Sequence, residues 1–241
     1  MQSSFYVGMS AQIAIDRRLQ SIANNVANMN TAGFRAEGVS FATMLSDASA
    51  DSTAYPTEGA SFISRRGGDL TKTDNPLDVA VQGDAWFGIK TAQGVAYTRD
   101  GRMKINAGGE LQTLNGNSVL DAGGSAMILD PDAGPPIISA DGMMTQGGRQ
   151  VGAIGLFAID PSAQLTRTEN SGVIPDQAAK PVLDFTSSGM AQGFVEGSNV
   201  NPVLELSKLI SIQHALEHVT QMNDSSDTSL QDAIKTLGST S

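Results

Sequence analysis

The sequence predicts a mixed α and β chain, in which N- and C-terminal helices pair as a coiled coil and flank a central all-β domain of short antiparallel strands. Three observations predict it. Ile15, Leu19, Ile22, Val26 and Met29 recur at steps of four, three, four and three, lining one side of a helix with a narrow apolar seam. Leu209, Ile212, Leu216 and Val219 repeat that spacing near the other end. Between them lies a Gly-rich stretch whose turn signals are too closely spaced to leave room for helices. Neither seam is wide enough to cover a large sheet or to form a core by itself, so the ends need each other or neighbouring subunits.

Residues 1–35 are expected to carry the N-terminal coiled-coil helix, starting at Ser3 or Ser4, whose hydroxyls accept from unsatisfied amides, and running to about Asn28. Asn24, Asn25, Asn28 and Asn30 crowd its end, and Gly33 stands where a left-handed residue commonly closes a helix. Residues 36–68 show no sustained period and read as an extended connector. Residues 69–197 read as the β domain. Asp100-Gly101, Gly108-Gly109, Asn115-Gly116, Gly123-Gly124, Asp141-Gly142 and Gly147-Gly148 are turn dipeptides that join antiparallel strands, and Val151 to Ile159 reads as one long buried strand. A sandwich or barrel fits this pattern. Residues 198–241 carry the C-terminal helix. Asn201 caps it, Pro202 occupies a first position where a missing amide costs nothing, and the helix is expected to end near Met222. The run Asn223 to Ser229 favours caps and turns, with Ser229 and Asp232 opening a short extra helix.

With 25 acidic against 15 basic residues, the formal net charge is −10, and no basic stripe is available to neutralise phosphates. Nucleic acid and anionic membrane surfaces are therefore not expected as partners. No apolar run approaches the roughly 20 residues that span a bilayer, so membrane insertion is not expected. The opening Met1-Gln2-Ser3-Ser4-Phe5-Tyr6 lacks a basic start followed by an apolar stretch, so no cleavable signal peptide is expected. The chain has no cysteine, which removes disulfides, thiolate metal sites and cysteine nucleophiles together.

One string looks catalytic. His214-Ala215-Leu216-Glu217-His218 matches the H-x-x-E-H arrangement of some zinc proteases. Two His four apart share a helix face, but no Glu follows Glu217, no other His exists, and Leu216 with Val219 assigns the helix to the seam. Polar flanks of a packed helix are the preferred reading; a zinc-dependent hydrolase using His214, Glu217 and His218 is the outside alternative. Asp69, Asp74, Asp78 and Asp84 sit among Gly, Asn and Pro, where Asp supplies turns. Arg65-Arg66 reads as a solvated basic pair, and Trp86 as a core residue. No phosphate loop, nucleophile elbow or dinucleotide fingerprint appears, so neither a cofactor nor a small-molecule substrate is expected.

At Ala23-Asn24-Asn25-Val26-Ala27-Asn28, followed by Thr31 and Gly33-Phe34-Arg35, the chain resembles the N-terminal signature of flagellar rod and hook proteins. Two further stretches agree: Gly68-Asp69-Leu70 through Pro76-Leu77-Asp78-Val79-Ala80-Val81-Gln82-Gly83, and Gly193-Phe194-Val195-Glu196-Gly197-Ser198-Asn199-Val200-Asn201. Asp84-Ala85-Trp86-Phe87, Thr91-Ala92-Gln93-Gly94 and Tyr97-Thr98-Arg99-Asp100-Gly101, with the modest length, are most similar to proximal-rod members. The likeness departs in the last helix, where such proteins often place Arg before an aromatic residue and this chain has His214 and Leu216.

The resemblance implies a structural role in the bacterial flagellar basal body. Such a subunit self-assembles in the rod that crosses the periplasm, transmits torque, lines the export channel and is required for motility. Its partners would be other rod proteins and copies of itself, and it would reach the rod through the flagellum's own export channel. The resemblance adds Asn24, Asn25, Asn28, Gly33, Phe34, Asn199 and Val200 to the seam residues as assembly interface. A distal-rod or other hook and rod axial protein is the close alternative.

Fixing a long helical backbone costs more than one narrow seam returns, so the ends are expected to be largely disordered in a free subunit. Circular dichroism of the monomer checks this: the helical signal should fall well short of two complete terminal helices, and a full complement contradicts the expectation.

Overall fold

The computed structural model describes residues 2–40, 43–46, 53–56, 60–169 and 171–238. Internal packing divides the chain into two units, one from Met1–Ala27, Glu37–Phe62 and Asn201–Ser241, the other from Asn28–Ala36 and Ile63–Val200.

The first unit holds both helices, α1 (Gln2–Ala27) and α2 (Pro202–Gly238). After α1 the chain turns: Thr31 N donates to the Asn28 carbonyl at 3.1 Å, and its hydroxyl bonds the Asn28 side chain at 3.1 Å. This closure leaves Met29, expected in the seam, outside the helix and exposed. At α2, Asn201 caps as expected, its Oδ1 accepting from Leu204 N at 3.1 Å and its carbonyl from Glu205 N at 3.0 Å. The expected stop near Met222 does not occur, and α2 runs unbroken through Asn223 to Ser229. Within that run the Thr228 hydroxyl is satisfied inside the helix, donating to the Asp224 carbonyl at 2.8 Å, as Thr220 does to that of Leu216 at 2.9 Å. Two short strand pairings accompany the helices among the described residues: Thr43–Ser46 antiparallel with Thr53–Pro56, and Glu37–Ser40 with Ala60–Ile63.

The second unit is built on a nine-stranded sheet. Its main path runs Leu165–Thr168, Gly172–Pro175, Gly94–Thr98, Trp86–Thr91, Ser118–Val119, Leu111–Thr113 and Met103–Ile105, with every pair antiparallel. Leu156–Ala158 also pairs with Trp86–Thr91, and Lys180–Pro181 with Leu156–Ala158. A three-stranded sheet of Ile137–Ile138, Met143–Gln146 and Arg149–Ala153 and two further strand pairs make up the rest. Gly109 and Gly116 turn the chain at φ +83° and +88°, as the Gly-Gly and Asn-Gly signals require.

Trp86–Thr91 is central because both its faces are covered. Successive side chains alternate, so Phe87 packs with Val79, Val81, Leu111, Val119 and Leu156, while Trp86 packs with Tyr97, Phe157, Ile159 and Val173. Tyr97 meets Phe157 edge-on at 5.4 Å between ring centres. Trp86 is therefore core, as expected.

The run Val151 to Ile159 is not one strand. It splits into Arg149–Ala153 and Leu156–Ala158, which join different sheets. The break falls at Gly155, where an added Cβ would lie 2.5 Å from the Asp121 carbonyl carbon, too close for any side chain. Phe87→Ala, which empties the centre of the larger core cluster, should cost about 3–5 kcal/mol. Urea unfolding followed by Trp86 fluorescence measures it.

Candidate assembly interface

In the first unit α1 and α2 pack against each other. Ile22 and Ile212 are buried, and Ile15, Leu19, Val26, Leu209, Leu216 and Val219 are half-buried. Beside these, Ala11, Ala14, Ile15, Leu204, Ile212 and Ala215 line a groove of about 560 Å³.

Near the end of α1, Asn25 serves as a backbone partner. Asn25 is 2% exposed, and its side chain pairs with residue 37 as a strand would: Nδ2 donates to the Glu37 carbonyl and Oδ1 accepts from its amide, each at 2.8 Å. The same Nδ2 reaches Glu205 Oε2 at 3.2 Å, joining the end of α1 to the first turn of α2. Glu205 is buried and takes the Lys208 ammonium at 2.6 Å. Ser21 Oγ also donates to the Glu37 carbonyl, at 2.9 Å, and Asn24 Nδ2 to the Glu37 carboxylate at 3.2 Å.

Two apolar faces escaped the sequence reading. Val203, Leu206 and Ile210 lie at helical spacing on α2 and are exposed at 74%, 51% and 55%. On α1, Met9 and Ile13 are likewise exposed. Their i, i+3 and i+4 spacing was visible, but it falls outside the chosen seam frame.

In the second unit the signature residues gather around one buried carboxylate. Glu196 is 1% exposed and lies 2.7 Å from Arg35 Nη2 and 2.7 Å from Arg99 Nε. Its Oε1 also accepts from the Gly68 amide at 2.9 Å, and its carbonyl from the Gly33 amide at 2.8 Å. Arg99 spreads its remaining donors over the Val81 carbonyl at 2.9 Å, that of Gly83 at 3.0 Å and that of Ala85. Arg35 donates to the Arg66 carbonyl. Both guanidinium groups stand over Trp86, at 5.6 Å and 6.0 Å from the ring centre. Burial pulls Arg35 down to about 10; Glu196 opposes the fall, Arg99 adds to it, and Asp84 opposes it. Phe34 is fully buried, with Arg167 4.2 Å above its ring. Gly33, at φ +67°, has no room for a Cβ against the Asp100 amide. Asn199 is half-buried and Val200 buried.

Arg35, Arg99 and Glu196 stand in three separate motifs of the sequence. Their mutual contact carries no local signal, because the three are distant along the chain. Arg65 also departs from the solvated pair expected: it donates to the carbonyls of Ile159, Asp160 and Ala163 at 3.0, 2.7 and 3.1 Å. His214, Glu217 and His218 are exposed on α2, and among the described residues no group of three or more His, Asp or Glu is placed to hold a metal ion.

Comparison with known proteins matches this layout segment by segment. Residues 5–35 match the flagella basal body rod protein family, 80–146 the flagellar hook protein FlgE/F/G D1 domain, and 191–236 the flagellar basal body rod FlgEFG protein C-terminal family. The flagellar basal-body rod protein FlgF of Mesorhizobium japonicum is 49% identical over 241 residues, covering all of both chains. The chain belongs to the FlgF family. FlgF of Rhizobium meliloti is 44% identical over 99% of each chain, and the rod protein FlgG of Bacillus subtilis 30% identical over 97% of this chain and 98% of its own. As a member of the FlgF family the chain is a structural subunit of the flagellar basal-body rod. The two terminal matches contain the segments that meet at Glu196, Arg35 lying in the first and Glu196 in the last.

The cluster holds two cations for one anion, which orders its mutants. Glu196→Gln leaves two buried guanidinium groups facing each other and should cost about 3–5 kcal/mol, whereas Arg35→Met leaves a one-to-one pair and should cost clearly less. Urea unfolding of the two variants compares them; equal losses contradict the charge argument.

Proposed function

We propose that this subunit occupies the proximal rod, packs there by its terminal helices as a coiled-coil layer around the export channel, and passes torque through those helix seams. Its partners are other rod proteins and further copies of itself, and it reaches the rod through the flagellum's own secretion channel. The observation that carries the reading is the exposed apolar surface of helices that already pack inward. Met9, Ile13, Val203, Leu206 and Ile210 lie on faces that α1 and α2 do not cover for each other. A helix apolar on more than one side requires cover on more than one side. Within one organism, Caulobacter vibrioides, identity is higher to FlgF, 36%, than to FlgG, 29%, which supports a proximal over a distal position.

The interface rests on Ile15, Leu19, Ile22, Val26, Leu209, Ile212, Leu216 and Val219, joined by the outer stripe of α2. Asn24, Asn25, Asn28, Gly33, Phe34, Asn199 and Val200 serve it by positioning, since their contacts lie within the subunit. No bond is made or broken in this role.

A deletion strain should be non-motile, and imaging should find its basal bodies halted at an incomplete rod; a complete rod in that strain overturns the proposal. Leu216→Asp and Leu206→Asp should each leave the β unit folded and abolish incorporation, and normal swimming in either mutant removes the corresponding face from the interface.

A further inference from the structure

One side chain ties together residues 36, 64, 66 and 199, beside three of the four points where the chain crosses the boundary of the second unit, among them the two exits after Ala36 and after Val200. Asn199 Oδ1 accepts from the Ala36 amide at 2.6 Å, and Nδ2 donates to the Arg66 carbonyl at 2.6 Å and to Ser64 Oγ at 3.1 Å. The Asn199 amide itself donates to the Phe34 carbonyl at 3.2 Å. Just before it, Glu196 grips the same segment through Arg35 and the Gly33 amide. Residues 33–36 and 196–199 thus lie side by side, although about 160 residues of chain separate them. Between Glu196 and Val200, residues 197 to 199 are only half-buried and carry no apolar side chain, so polar contacts fix this stretch.

We propose that Asn199, backed by the Glu196 cluster, is a latch that sets the two exits together before α1 and α2 pair, so that pairing closes a short loop. The inference rests on the reading that these helices are the assembling elements, and it adds how they find each other. Loop-closure entropy grows with the logarithm of loop length, with a coefficient of three-halves. In an unfolded chain about 160 residues would separate the helices, whereas with the second unit folded and its exits held together only about 10 flexible residues do, a roughly 60-fold difference in effective concentration that the Asn199 and Glu196 contacts share. On the far side of each exit, Asn25 repeats the arrangement within the first unit by clasping residue 37 and Glu205. The exit from α1 and the entry to α2 are therefore tied twice along their course, by amide side chains that imitate a strand partner.

The cysteine-free chain permits a direct test on the full-length protein. Ala11→Cys and Ala215→Cys place thiols on two residues that line the same interhelical groove. The effective concentration of their disulfide, measured against a glutathione couple, reports how readily the helices pair. Adding Asn199→Ala should lower it roughly two- to three-fold, since the Glu196 contacts still hold residues 33 and 35, while the buried emission of Trp86 and the unfolding midpoint of the β unit stay unchanged. An unaltered effective concentration overturns the latch. So does loss of the buried Trp86 signal in both Asn199→Ala and Asn199→Ser, which would make the residue part of the fold itself. Failure of the assembly reading is separately visible: the dicysteine protein would pair normally while Leu216→Asp still built rods.

Discussion

The second unit depends on burying one carboxylate between two guanidinium groups. Glu196 cannot be solvated where it lies, so its oxygens must be met by Arg35, Arg99 and the Gly68 amide, and these partners come from separate parts of the chain. Satisfying one anion therefore fixes three chain crossings. The surplus positive charge is spread over the carbonyls of Val81, Gly83 and Ala85 and the face of Trp86. An apolar cluster of the same volume would tolerate small slips in register, whereas hydrogen bonds with fixed directions do not. That intolerance suits a place where both ends of the chain must be aimed.

The sheet reinforces the arrangement. Trp86 and Phe87 follow each other and point to opposite faces, so one strand anchors both core clusters and carries the ring on which the arginines stand. Any shift of that strand by one residue would exchange the two aromatic side chains and strip the cluster of its floor. Gly155, pressed against Asp121, sends the chain from one sheet into the next within a single step. Packing and polar contacts therefore select the same register.

Much of this was legible in the sequence where the cause is local. Asn201-Pro202 opening a helix, Asn-Gly and Gly-Gly turning hairpins, and four-three spacing marking α1 and α2 all depend on neighbours in the chain. Misreadings arose where local signals compete. The polar run Asn223 to Ser229 argued for a stop, but α2 runs through it, the Thr228 hydroxyl turning back to the Asp224 carbonyl one turn earlier. The apolar run Val151 to Ile159 looked like one strand because periodicity does not register a steric break. The Glu196 cluster and the clasp of Asn25 on Glu37 and Glu205 were illegible, since nothing in one segment announces its distant partner. The outer stripe at Val203, Leu206 and Ile210 was legible and passed over, because one seam frame had already accounted for the helix.

That stripe has a consequence for the solitary molecule. Greasy surface that rewards a correct neighbour rewards an incorrect one as well, and water offers it no shelter meanwhile. The pool of unincorporated protein is thus bounded from above by its own stickiness, and a cell that makes more than its growing shaft can absorb should lose the excess to clumps.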